Sequence, residues 1–67
     1  MTIWANQQAY NYDTAPSLLQ LLTDLQKQEQ TGIAVAVNQQ VVPKTDWEAT
    51  TLKDNDKVII ITATQGG

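Results

Sequence analysis

Only one stretch of this chain carries a helical period, and that restricts its folds more than any other feature. In "DTAPSLLQLLTDLQKQ", Leu18, Leu21, Leu22 and Leu25 fall at i, i+3, i+4 and i+7, forming one apolar stripe along a helix. Pro16 suits a first helical turn because its missing N–H is not needed there. Asp13 or Thr14 is expected to cap the free amides, with Ser17 in the first turn. Gln20, Thr23, Asp24, Gln26 and Lys27 form the wet side, and Gly32 is the expected stop. A helix with one apolar side needs a second layer to cover it, and with no second helix in view that layer must be a sheet.

The flanking sequence supplies the strands. "MTIWANQQAYNY" reads as a hairpin turning at Asn6-Gln7, with Ile3, Trp4, Tyr10 and Tyr12 as strand-favouring residues. "IAVAVNQQVV" alternates Ile33, Val35 and Val37 with alanines, turns at Asn38-Gln39 and returns through Val41 and Val42. Pro43 then ends the ladder because it has no N–H to donate. Next comes an irregular crossover that Trp47 is expected to pin to the body of the domain. A polar turn at Asp54-Asn55-Asp56 leads into a final strand from Lys57 to about Thr62. The order is hairpin, helix, strand pair, crossover, strand. It gives an α+β fold of ββαββ type, a mixed sheet of four to five strands with one main helix packed on one face. The unbroken "VIII" suits a central position for the last strand, beside the first. One domain is expected over residues 1–67, with a flexible tail at about 63–67.

Composition removes most chemistry. The 67 residues include no histidine and no cysteine, so the commonest general base, the commonest metal ligand and every thiol are missing. Ser17 therefore has no partner for a catalytic triad. The net charge is −3, and the four lysines, at 27, 44, 53 and 57, are scattered rather than gathered into a basic face for nucleic acid. Asp46, Glu48, Asp54 and Asp56 lack the ligand ladder of a calcium loop, and "DND" reads as a turn whose side chains bond their own backbone. Trp4, Tyr10, Tyr12 and Trp47 read as core or half-buried packing. No apolar run has the length of a membrane span, and the N-terminus lacks the layout of a signal peptide, so a soluble cytoplasmic protein is expected.

What remains is "ATQGG". A terminal carboxylate behind two glycines is a slender handle that threads a narrow channel, because neither residue carries a Cβ. A partner that adenylates the carboxylate would make it an electrophile. On the last strand, Val58 and Ile60 share one side and Ile59 and Ile61 the other.

The block "VAVNQQVVPKTDWEATTLKDNDKVIIITATQGG" resembles the "A-[LV]-N-x-x-[VI]-V-P-x-x-x-W" pattern of ubiquitin-like β-grasp proteins, and more narrowly of ThiS-type sulfur carriers of thiamine biosynthesis. The likeness runs over essentially the whole chain. Asn55 stands where that family usually has glycine, and asparagine tolerates the same left-handed geometry. The resemblance implies a carrier and not an enzyme. Gly67 would be adenylated by an E1-like (ThiF-like) activating enzyme using ATP and Mg²⁺, then converted to a thiocarboxylate. Its sulfur would come from a donor such as a cysteine desulfurase and go to a ThiG-like thiazole synthase. By the same analogy Val58 and Ile60 face the helix, and Ile59 and Ile61 form the partner-docking patch. Gly66, Gln65, Thr64 and Ala63 would lie in the partner's channel. No bound cofactor, metal, nucleic acid or membrane is implied, and the free protein is expected to be monomeric. Two alternatives share the tail: the small, MoaD-like subunit of molybdopterin synthase, and a ubiquitin-like modifier joined through Gly67 to target lysines. A third possibility is a structural interaction domain with an incidental tail.

Overall fold

The computed structural model describes residues 1–26 and 32–62. Within them the chain forms β1 (Thr2–Ala5), β2 (Gln8–Asn11), α1 (Leu18–Asp24), β3 (Ile33–Val37), β4 (Gln40–Val41), a 3₁₀ turn (Lys44–Asp46) and β5 (Lys57–Thr62). The five strands form one mixed sheet in the order β2-β1-β5-β3-β4. The expected order of hairpin, helix, strand pair, crossover and strand is thus present, the returning strand of the pair, β4, being only two residues long.

Both hairpins close through two consecutive residues in the left-handed region. Asn6 and Gln7 have φ of 49° and 70°, and Asn38 and Gln39 have 50° and 72°. Two positive φ values in a row match the right-handed twist of the flanking strands, and asparagine tolerates the first of them. These turns set the registers Ala5↔Gln8 and Val37↔Gln40. β5 then joins the hairpins, parallel to β1 (Trp4↔Lys57, Ala5↔Val58) and antiparallel to β3 along five pairs from Ile33↔Thr62 to Val37↔Val58.

α1 differs from expectation at both ends. Its cap is Ser17, whose Oγ accepts from the Gln20 N–H at 3.0 Å, and neither Asp13 nor Thr14 takes that role. Pro16 consequently lies before the helix, buried, and its carbonyl accepts from Leu52 N–H at 2.8 Å. The next amides are taken by the crossover, Leu18 N–H bonding Thr50 O at 2.7 Å and Leu19 N–H bonding Trp47 O at 3.1 Å. With those amides satisfied by a neighbouring segment, the helix start is set by tertiary contact. The helix stops at Asp24, ahead of Gly32, because Gln26 adopts φ 61° and turns the chain out of the helical path. Lys27 lies outside the described residues. Seven residues are too few for a helix to persist alone, so α1 depends on the burial of Leu18, Leu21 and Leu22.

Those leucines lie with Ile3, Ala5, Val35, Val58 and Ile60 in one core. Trp47 joins them, its Nε1–H donating to Val42 O at 3.0 Å, and pins the crossover as expected. Leu52, which belongs to no periodic pattern in the sequence, is also fully buried there. The "DND" segment is a turn: Asn55 has φ 70°, Asp54 Oδ1 accepts from Thr2 N–H at 2.7 Å, and Asp56 Oδ2 accepts from Lys53 N–H at 2.8 Å. Asp56 Oδ1 also accepts from Asn38 Nδ2, while Asn38 Oδ1 accepts from Lys57 N–H, so the second hairpin is tied to the base of β5.

Two measurements check this core. Trp47→Ala removes a buried aromatic and its hydrogen bond, and should cost about 3–5 kcal/mol in urea unfolding, whereas Val41→Ala on the exposed β4 should stay within about 0.5 kcal/mol. Tyr12 donates its hydroxyl to Asp24 Oδ2 at 2.8 Å, and partial burial followed by that bond pushes its pKa from 10.0 to about 12. Because the folded value lies above the unfolded one, the stabilisation is complete below pH 10 and is lost as pH rises from 10 towards 12. Tyr12→Phe should flatten that alkaline loss, read as melting temperature against pH.

Candidate functional site

One helix covers one face of the sheet, so the composition of the other face depends on the alternation along each strand. In β5 that alternation sends Val58 (1 % exposed) and Ile60 (8 %) into the core, and Ile59 (46 %) and Ile61 (58 %) outward. The expected division of the four residues is therefore the observed one. On β3, the partners of Ile59 and Ile61 are Ala36 and Ala34. Each offers only a methyl group and leaves its isoleucine uncovered.

β1 extends the strip on the other side. Ile3 and Ala5 point inward, so Trp4 between them points outward at 38 % exposure. Parallel pairing sets Trp4 level with Lys57, and the two line an open groove with Asn6, Gln7, Val58 and Ile59. Trp4 thus departs from the core or half-buried packing expected of the aromatics. Its outward position was available from the Ile3-Trp4-Ala5 alternation once β1 is set beside β5. Trp47 is buried, and Tyr10 and Tyr12 are half-buried, as expected.

The outer face thus carries Trp4, Ile59 and Ile61 with the single charge of Lys57 beside them. Exposed aliphatic and aromatic groups gathered on one face of so small a domain are of the kind found in protein contacts. The strip runs up β5 towards the residues that follow Thr62. Ala63, Thr64, Gln65, Gly66 and Gly67, the proposed tail, lie outside the described residues. Among the described residues, no group of three or more histidine, cysteine, aspartate or glutamate side chains is placed to hold a metal ion. Asp24, Asp54 and Asp56 serve instead as hydrogen-bond acceptors within the fold. No helix of the described residues is long and apolar enough to cross a membrane.

A five-stranded mixed sheet grasping a single helix, with an apolar outer strip leading to the last strand's end, defines a protein of the ubiquitin-like β-grasp class. The model of the ThiS family matches residues 3–67. The sulfur carrier protein ThiS of Escherichia coli (strain K12) is 34 % identical over 67 residues, covering 100 % of both chains. The crystal structure of the thiamine biosynthesis protein ThiS from Geobacter metallireducens superposes with a TM-score of 0.82 at 26 % identity, covering 100 % of each chain. The solution structure of a thiamine biosynthesis protein from the same organism gives 0.77 at 26 % identity, covering 100 % of this chain and 88 % of that one. This chain belongs to the ThiS family.

The geometry gives a direct stability test of the strip. Ile61→Glu replaces an exposed side chain and should change unfolding free energy by no more than about 0.5 kcal/mol. Ile60→Glu, one residue earlier and facing the core, should prevent folding by burying an unpaired charge. Circular dichroism of the two variants distinguishes the faces.

Proposed function

We propose that this protein is a sulfur carrier whose reactive group is the carboxylate of Gly67. The observation that carries the reading is the uncovered strip of Ile59 and Ile61 on β5, the strand leading to the glycine pair, with Trp4 of β1 beside them, in a chain of the ThiS family. Two glycines without side chains suit entry into a narrow catalytic channel. Ala63, Thr64 and Gln65, which precede them in sequence, would lie in the partner's channel. Support for the thiamine branch, against the molybdopterin-synthase subunit and the protein modifier, comes from the family match and from the likeness to the thiamine biosynthesis protein ThiS of Geobacter metallireducens.

The chemistry is performed by partners. An E1-like activating enzyme supplies ATP and Mg²⁺. A Gly67 carboxylate oxygen attacks the α-phosphorus of ATP, pyrophosphate leaves, and a mixed carboxylic–phosphoric anhydride forms. A persulfide sulfur on a sulfur donor protein adds to the acyl carbon, AMP departs with the bonding pair of the C–O bond, and a thiol then attacks the donor's inner sulfur in the acyl disulfide, forming a disulfide and releasing the acyl-bound sulfur. The product is a thiocarboxylate, one oxygen of Gly67 having become sulfur. That sulfur then enters the thiazole ring on a thiazole synthase. The carrier itself binds no cofactor and acts as a substrate in each step. Docking through Ile59 and Ile61 holds it to these enzymes, consistent with an interface core free of charge.

Intact mass after incubation with a ThiF-like enzyme, ATP, Mg²⁺ and a sulfur donor tests the reading. The expected gain equals the exchange of one oxygen for sulfur, confined to the C-terminal fragment. An unchanged mass, with the same enzyme active on its own carrier, overturns it. Deleting Gly67 should abolish the gain and leave the melting temperature unchanged. Ile61→Glu should weaken binding to the activating enzyme roughly tenfold or more, since it sets a charge in the apolar contact.

A further inference from the structure

β1 lies beside β5 for only two registered pairs, because the chain reverses at Asn6-Gln7 to begin β2. At the two ends of that short pairing, Trp4 N–H donates to Asp56 O and Asn6 N–H to Val58 O, each at 2.9 Å. Main-chain groups of alternate residues face the same flank, so the next groups of β5 on that side are those of Ile60. By then the backbone of β1 has turned away.

The side chain of Asn6 takes the missing place. Its Oδ1 accepts from Ile60 N–H at 2.8 Å, and its Nδ2 donates to Ile60 O at 3.1 Å. A primary amide offers the same donor and acceptor as a peptide group, so it continues the ladder for one more residue. The turn alone does not demand this. At φ 49°, glycine or aspartate would serve the hairpin equally well, yet neither carries both partners for Ile60. The two bonds connect residues at opposite ends of the chain and are partly buried. Beyond Ile60, the ladder recorded for β5 continues through Ile61↔Ala34 and Thr62↔Ile33 on the β3 flank.

We propose that Asn6 is a positioning residue: by clamping both main-chain groups of Ile60, it fixes the direction in which β5 leaves the sheet and so aims Gly67 at the activating enzyme's reaction centre. The proposal rests on the carrier reading. It divides the labour, with Ile59 and Ile61 providing affinity and Asn6 providing alignment. Threaded as extended chain through a partner's channel at about 3.3 Å per residue, the residues from Ile61 to Gly67 would span about 23 Å, so a swing of about 5° at Ile60 would move the chain end by about 2 Å. Misplacement on that scale lowers the rate of a bimolecular attack without altering the docking contacts.

The experiment compares the full chain with Asn6→Gly, which keeps the positive φ and deletes the amide, and Asn6→Asp, which keeps the shape and loses the donor. Adenylation is followed as ATP–pyrophosphate exchange on the activating enzyme, docking is measured by calorimetry, and the folded fraction by circular dichroism at the assay temperature. The expected result is a kcat lowered roughly tenfold in both variants, with Kd within about twofold of the unaltered chain. Faster hydrogen exchange at the Ile60 amide should accompany the loss. A kcat within about twofold of the unaltered chain overturns the proposal. So does a loss that disappears on correction for folded fraction, or one confined to Kd, since either would make the clamp merely structural. An unaltered chain that is not adenylated at all removes the carrier reading and this proposal together, whereas equal rates for all three chains remove only the role of Asn6.

Discussion

The pairing of β5 with both hairpins is the interaction on which the rest of the structure depends. β1–β2 and β3–β4 are local, each closed by two left-handed residues, and in the sheet order only β5 lies between them. A two-stranded hairpin is marginal in water, so neither half is stable without the strand that arrives last in the sequence. The same strand supplies Val58 and Ile60 to the core against which the leucines of α1 pack. A helix of this length has no stability of its own, so sheet closure and helix formation are one cooperative event. Such non-local pairing carries a loop-closure cost that local contacts avoid, and it places the final strand late in folding.

The crossover makes that closure geometrically defined. Between β4 and β5 the chain passes under the start of the helix, where three main-chain hydrogen bonds join it to Pro16, Leu18 and Leu19. Trp47 and Leu52 are buried in the same region. One segment thereby caps the helix, closes the end of the core and delivers the chain to the Asp54–Asp56 turn. There, side-chain carboxylates bond Thr2 and Lys53 and set the entry of β5 beside β1. These carboxylates are consumed by the fold, which is why an acidic group in this sequence signals a turn and not a reaction.

Much of this was legible because strong local signals coincided with global demands. The turns at Asn6-Gln7 and Asn38-Gln39, the limits of β5 and the alternation of Val58 and Ile60 against Ile59 and Ile61 follow from period and turn chemistry, while which pair faces the helix follows from the family resemblance. The helix boundaries did not, for a physical reason. Asp13 and Thr14 are good caps in isolation, but the crossover carbonyls meet the helix at Leu18 and Leu19, so the start is set by a tertiary partner remote in sequence. The stop at Gln26 was hidden because a non-glycine left-handed residue leaves no compositional mark, whereas Gly32 is conspicuous. Leu52 sits between polar residues and shows no period, so only the three-dimensional path of the crossover reveals its burial. Trp4 and the Asn6 clamp required the parallel β1–β5 register, which no local pattern encodes.

In the proposed carrier, recognition and delivery reside on one element. An interface placed on a hairpin edge would move with that hairpin and leave the reactive end's position undefined relative to the partner. β5 is held on both flanks, so its outward residues are anchored to the core through Val58 and Ile60 directly beneath the strand. Central strands are the elements slowest to open locally, which suits a root from which a reactive end must be presented reproducibly. Covering Ile59 and Ile61 with a second helix would have stabilised the domain by about 25 cal/mol for each Å² of apolar surface hidden. Leaving them bare forgoes that stability and keeps the driving force for association beside the carboxylate that the association is proposed to present.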